Sequence, residues 1–498
     1  MVTAELLSFI EQETAQGVAS EVIREQLKNG GWQEVDIEQG FIAFAKAHPP
    51  VKSGGERAVQ AEVEVSSLPT TVTGAVISKK KRKVPKLFFI VGGVLLLCIV
   101  ALSLPMVLGL LHRDVAQVSD TDLLLPPVQV KEAENAYFDL VEAVQQGKVY
   151  ESASATPVEK EAAVKAMFLA YAAAAKKPYY QDPAIVGSTT STTSTLSPED
   201  LQKVARSINV FATQVARTSS STDGLSLAVL GAVIGTKIEK SQDTSLAYEL
   251  AMNIKTESLQ AALHIATSTT QKSEELIDAA HRLAGQATDG TGLVTADKVG
   301  YQKYRALLLE LNAQKAVSLG LHFFSTPVVM FLNATGYVYQ PYRTVSALLD
   351  TTRARIEAHS ETCEAATERP ALANTGAKAY LISFPAILLA PNSMGAYLLS
   401  SVASSPYIPK AKECDEEVLR GGVELVLALK AFEQDNKALP KTLAELVPTY
   451  IPTVPHGPYH NASTTTYRYD PVRRTVYSLG AGGVDKGGNV PENPTYSF

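Results

Sequence analysis

The chain has 498 residues, 46% of them hydrophobic and 19% charged, and a formal net charge of −6. That apolar share excludes a chain disordered throughout, the length allows about two to four units, and the acidic balance gives no basic field for nucleic acid. Three cysteines, Cys98, Cys363 and Cys414, without a Cys-x-x-Cys pair, exclude a disulfide-dense scaffold and a cysteine-based zinc motif.

Residues 1–47 carry three short helical patterns. Leu6, Leu7 and Ile10 share one face. Ile23 and Leu27 share a second, in a helix that starts near Ser20 and stops at Gly30-Gly31. Ile37, Phe41 and Phe44 form a third. Spacings of three and four place each apolar set on one stripe, and the paired glycines suit a helix C-terminus. The reading is a small three-helix module whose only tryptophan, Trp32, either anchors the helix junction or contacts a partner. The pattern Gly31, Trp32, Asp36, Ile37 resembles small ubiquitin-associated-like three-helix modules, which implies a protein partner for this segment. Residues 48–86 read as a flexible tether, rich in Pro, Ser, Thr and Gly and ending in a basic flank.

Leu87 to Leu111 contain no charged side chain. As a helix they would extend about 37 Å, against about 30 Å of bilayer hydrocarbon. The sequence therefore predicts one transmembrane helix over 87–111, with Pro105 kinking or shortening it and Cys98 packing as a small apolar residue. Lys79 to Lys83 and Lys86 precede it, whereas His112, Arg113 and Asp114 follow. The basic excess keeps the N-terminal side in the cytoplasm and places the rest outside the membrane. The basic string also matches a nuclear localisation pattern, but a cluster abutting a span already has a physical explanation. It would hold anionic headgroups at roughly 1 kcal/mol per basic side chain.

Beyond a stalk over 112–127, residues 128–410 read as a large α-helical domain. Stripes run over Glu159–Ala175, Pro198–Arg217, Ser245–Thr267, Ser273–Ala287 and Ala296–Leu319. Ser197-Pro198-Glu199-Asp200 supplies a cap, a first-turn proline and first-turn acids. The run Gly187–Ser197 is a low-complexity loop. Two apolar stretches, Leu321–Leu332 and Ala379–Ala390, are too short to span. They are expected to be buried helices, with a face resting on the membrane as the alternative. An oxidising compartment would permit a disulfide between Cys363 and Cys414, contributing roughly 3–4 kcal/mol in a chain-entropy model.

The last segment, 411–498, changes character. A helix over Asp415–Asn436 precedes Leu439-Pro440 and a short helix that stops before Pro448. Two strands, Tyr467–Tyr469 and Thr475–Leu479, meet at a turn through Asp470 and Pro471. The run of Leu439, Pro440, Leu443, Leu446, Val447, Pro448, Tyr450, Val454 and Pro455 precedes Tyr467, Tyr469, Tyr477, Ser478, Leu479, Gly480 and Asp485. Together these resemble the C-terminal part of type II secretion major pseudopilins. Upstream, Glu134-Asn135-Ala136-Tyr137 and Pro391-Asn392-Ser393-Met394-Gly395 are similar to a class of bacterial single-pass membrane proteins that carry such a tail. The resemblance implies a small α+β subdomain. It also implies calcium in the final loop, where Asp485 would be the carboxylate ligand and Asn489 a weaker donor. The chain departs from pseudopilins in its internal apolar run and in His456-Gly457-Pro458 after the Val-Pro step. Those departures argue against assembly into a pilus.

No HExxH, GxSxG or phosphate-binding loop is present. His264, His281, His322 and His359 fall on presumed helices, no two of them four residues apart. His456 and His460 flank Gly457 and Pro458. The fold expected is mainly α. The function expected is a single-pass envelope-anchored protein with a cytoplasmic interaction module and an extracytoplasmic binding or scaffold domain. Its partners would be the lipid bilayer and a protein bound by the N-terminal module. The alternatives are an envelope hydrolase with a site assembled from distant residues, or an accessory component of a secretion or pilus-like system.

Overall fold

The computed structural model describes residues 23, 24, 27, 37 and 41. From there it describes 114–183 except 118, 196–218, 222–311 except 269 and 289, 336–368 except 338, 391–402, 408–459, 467–488 and 493–498. The apolar run 87–111, the stretches 321–332 and 379–390, and most of the low-complexity loop lie outside the described residues. Among the described residues, no helix is long and apolar enough to cross a membrane. The chain is mainly helical, with one small sheet.

It divides into two compact units, Met1–Val84 and Pro85–Phe498. In the first, Ile23, Leu27 and Ile37 are helical and buried, and the Arg24 guanidinium lies 4.4 Å above the Phe41 ring. A cation over an aromatic face is electrostatically favourable.

In the second unit eleven helices are described. They are α1 (Ala136–Glu151), α2 (Pro157–Lys176), α3 (Pro198–Thr218), α4 (Thr222–Glu239), α5 (Ser245–Ser268), α6 (Ser273–Ala284), α7 (Thr291–Leu309), α8 (Pro341–His359), α9 (Cys363–Glu368), α10 (Ser393–Val402) and α11 (Lys410–Asn436). Local chemistry sets several of their ends. Thr156 and Glu159 form a reciprocal capping box at α2, with Pro157 at its first position. Asn135 caps α1 by accepting from Tyr137 N. α11 ends where Lys437 turns left-handed, at φ 55°, and Pro440 follows three residues later.

The three largest apolar cores among the described residues organise the unit. The first gathers α1 to α5 around Leu140, Met167, Ile208 and Ile254. The second gathers α3 to α6 and α11 with the C-terminal segment, around Leu259, Leu276, Val426 and Val476. The third joins the 3-10 turn Thr121–Leu123 to α7, α8 and α10, around Leu123, Tyr301, Leu349 and Met394.

The sheet is antiparallel, in the order β1 (Tyr467–Asp470), β2 (Thr475–Ser478), β3 (Thr495–Ser497). Tyr467 pairs with Ser478, and Val476 pairs with Tyr496. The third strand is an addition to the two the sequence predicts, and Leu443–Leu446 is a 3-10 helix. Gly421 and Gly422 let the sheet close onto α11. A Cβ at Gly421 would stand 2.4 Å from the Tyr467 hydroxyl, and one at Gly422 would stand 2.2 Å from the Tyr496 ring. The Tyr467 hydroxyl then reaches the Val418 carbonyl at 2.7 Å.

Candidate functional site

The segment 114–125 is folded onto α7 and α8. Asp114 accepts from the first-turn amides of α8, Tyr342 N at 2.9 Å and Arg343 N at 2.8 Å. Those amides have no partner within their own helix, and the N-terminal end of the helix dipole favours a carboxylate. Asp120 is buried. It accepts from the Tyr301 hydroxyl at 2.7 Å and from Arg305 Nε at 2.5 Å. Burial opposes its charge, but these two donors outweigh burial and hold its carboxyl below the ordinary range. Burial and the neighbouring Asp120 push the Tyr301 phenol up. Asp122 accepts from Arg353 Nε and Nη2, at 3.0 and 2.7 Å, and Arg353 also reaches the Ser119 carbonyl. Leu123 fills the core beneath, and Gln302 donates to the Leu125 carbonyl. Beside this clasp lies a hollow of about 10 Å³, room for little more than one water, lined by Asp120, Tyr301, Arg305, Tyr342 and Val345. Its polar groups are already engaged with one another. They therefore fix the segment in place more readily than they would move a proton on a ligand.

A second polar centre is fully internal. Lys255 on α5 is completely buried, with Nζ 3.0 Å from Glu239 at the end of α4 and 2.8 Å from Glu416 on α11. Glu413, one turn earlier on α11, pairs with Lys410 at 2.7 Å. Along the same helix, Arg420 binds Glu417 and Glu424 and donates to the Leu283 carbonyl. Burial pushes the Glu416 carboxyl up to about 7 although Lys255 draws it down, and burial pushes Glu424 up to about 7 against Arg420. Burial lowers Lys255, but the two carboxylates outweigh it and the net shift is upward, so the amine stays charged. This network ties α4, α5 and α11 together in the interior of the body.

The third centre joins α5, α7 and α8. His359 Nε2 lies 3.0 Å from Asp297, Arg355 lies 3.7 Å from the same carboxylate, and the Ser245 hydroxyl donates to it at 3.4 Å. Serine, histidine and aspartate thus meet inside the protein. The serine donates to the aspartate, so the three do not stand in the serine–histidine–aspartate order that nucleophilic hydrolysis uses.

The two upstream motifs are framework. Asn135 donates from Nδ2 to the Gln181 carbonyl while its Oδ1 accepts from Gln181 N, and Gln181 in turn holds Val128 and Val130. Asn392 sits at φ 57°, donates its amide to the Tyr337 carbonyl, and accepts from Gln340 N and the Thr344 hydroxyl. Gly395 belongs with it, because a Cβ there would stand 2.1 Å from Thr344 Oγ1. Each asparagine pins one distant backbone segment to a helix start.

In the C-terminal loop, Asp485 accepts from the Tyr477 hydroxyl at 3.0 Å and from Gly487 N at 2.9 Å, and Arg468 lies 3.6 Å from its other oxygen. Calcium needs about six to eight oxygens. Among the described residues Asp485 is engaged by these donors and a guanidinium, and Asn489 lies outside the described residues. Cys363 on α9 and Cys414 on α11 form a disulfide, with Cα atoms 6.0 Å apart.

The sequence offered one signal for the internal network that goes unused in a motif search. Lys255 stands between Ala251 and Leu259 at the i, i+4 positions of an otherwise apolar stripe, and Glu413, Glu416 and Arg420 interrupt the inward face of α11 in the same way. No family model matches the chain, and no curated protein or solved structure matches it either.

Proposed function

We propose that the chain is a single-pass envelope protein. A small N-terminal interaction module would lie in the cytoplasm, and a helical body serving as a binding or scaffold domain would lie on the far side of the membrane. The observation that carries this reading is the Cys363–Cys414 disulfide, which lies C-terminal to the charge-free run 87–111. A structural disulfide belongs to an oxidising compartment, the side to which the basic flank of that run assigns the body. The polar centres of the body support a scaffold over a hydrolase, because their acids and bases are spent on holding helices together. The packing of α11 on a three-stranded antiparallel sheet supports the pseudopilin-like reading of residues 411–498.

Topology is the test. Protease added to intact spheroplasts is expected to digest the body and spare residues 1–85. Loss of the N-terminal module with survival of the body would overturn the orientation.

A further inference from the structure

We propose that the cluster of Glu239, Lys255 and Glu416 is a proton-binding site. One proton resides on Glu416, and its presence locks the first two turns of α11 onto α4 and α5. The site belongs to the interior of the body, so it goes beyond the anchored reading and does not depend on which side of a membrane the body occupies.

The geometry begins with a mismatch of charge. Lys255 stands between two carboxylates, Glu239 at 3.0 Å and Glu416 at 2.8 Å, which are 2% and 3% exposed. The neighbouring cations do not make up the difference. Lys410 is held by Glu413, and Arg420 is divided between Glu417 and Glu424. Among the described residues, Oε1 of Glu416 is buried and meets no donor. A second carboxylate charge beside one ammonium, out of water and without a donor, is costly, whereas a proton on that carboxyl removes the surplus. Burial pushes the Glu416 carboxyl up to about 7. Lys255 opposes that rise, and Glu239 and Glu417 add to it.

The groups around this part of α11 come from every element packed on it. α4 brings Glu239, and α5 brings Lys255 together with Tyr248, which lies beside Glu239, Glu413 and Glu416. α6 brings the Leu283 carbonyl, which holds Arg420. On the other faces, Tyr467 of β1 lies beside Arg420, Glu417 and Glu424, and Tyr459 joins Asp415 near Glu364 of α9. Glu416 sits in the second turn of a helix that begins at Lys410 and has no side-chain cap at Pro409. An uncapped helix end is the part that opens at least cost. When the proton leaves to solvent, the ionised oxygen must find water, and opening those two turns supplies it. Cys414 lies in the same turns and is bonded to Cys363 on α9, so this end can loosen without leaving the body.

Amide hydrogen exchange of the full chain in detergent micelles, resolved by peptide and corrected for intrinsic rates, tests the lock. An opened Glu416 regains its ordinary carboxyl value, so opening becomes easier as pH rises toward 7 and levels off above it. Between about pH 5.5 and about pH 8, protection of residues 410–420 is expected to fall roughly tenfold or more, and that of α1 to fall less. Glu416→Gln, whose amide stands in for the protonated acid, should keep its protection at the higher pH. Glu239→Gln removes the neighbouring charge and should move the fall to lower pH. Constant protection of 410–420 in the parent chain overturns the proposal. So does a fall that persists undiminished in Glu416→Gln, or an equal fall in α1, which would reduce the acids to carriers of global stability. If Glu416→Gln does not fold, an unshifted midpoint in Glu239→Gln overturns it instead.

Discussion

The buried ammonium of Lys255 lies 2.8 Å from a carboxylate oxygen of Glu416, joining the middle of α5 to the first third of α11. With Glu239 at 3.0 Å on its other side, the lysine is held by two acids from two further helices. Such a cluster contributes little net stability over a well-packed apolar one, but removing one member strands the others. Lys255→Met is therefore expected to destabilise the body by about 3–5 kcal/mol. Adding Glu239→Gln and Glu416→Gln to Lys255→Met should recover part of that loss. Urea denaturation of the single and triple variants checks it, and a triple variant no more stable than the single one would refute the pairing.

The buried acids of α11 predict an unusual pH response. Glu416 and Glu424 have carboxyls pushed from 4.5 up to about 7 in the folded protein. Between those values the folded state holds more protons than the unfolded one, so the slope of stability against pH is negative. Their contribution is complete below about 4.5 and is lost as pH rises toward 7. Asp120 and Glu433 are shifted downward, and their contribution is lost only as pH falls below the ordinary carboxylate range. Thermal melts should show the body more stable at pH 5 than at pH 7. Glu424→Gln should flatten part of that difference, and a stability that rises from pH 5 to pH 7 would contradict it.

How far this was visible beforehand depended on whether a feature is local. Pro198 begins α3 because caps and first-turn prolines act within four residues. The stripes over 198–217, 245–267 and 273–287 match α3, α5 and α6 for the same reason. β3 has no signature of its own, because its three residues are too few to display alternation and are defined only by pairing with β2. The ion clusters escaped because each partner rides a different helix. Asp120 meets Arg305 across a separation of 185 residues, which no spacing rule links. Asn135 and Asn392 stand out in the sequence only as members of short motifs, and their work is backbone clamping, which only the fold discloses.

The disulfide closes a loop spanning 51 residues between α9 and α11. In the chain-entropy picture a loop of that length contributes roughly 4 kcal/mol by restricting the unfolded chain. Cys363→Ser and Cys414→Ser should each lower stability by a similar amount, and the double variant by no more than either single one. Alkylation of intact cells before lysis, followed by non-reducing gels, should find both thiols protected until reductant is added. Free thiols without reductant would place the body in a reducing compartment and count against the proposed topology as well.

Asp120 and Asp122 are near neighbours with opposite expectations. Asp120 is buried and bonded to Tyr301 and Arg305, whereas Asp122 and its partner Arg353 are both about half exposed. Solvent screens the exposed pair, so Asp122→Ala should cost far less than Asp120→Ala. Asp120→Ala leaves a buried phenol and a largely buried guanidinium without their acceptor, at a cost of about 2–3 kcal/mol. Because Asp120 lies between Asp114 and Leu123, its loss should also free the segment that ties the body to the apolar run. Limited proteolysis should then cut Asp120→Ala between 114 and 125 faster than either the parent chain or Asp122→Ala. Equal cutting of all three would mean that Asp120 does not hold the clasp, and that the contacts of Asp114 and Leu123 suffice.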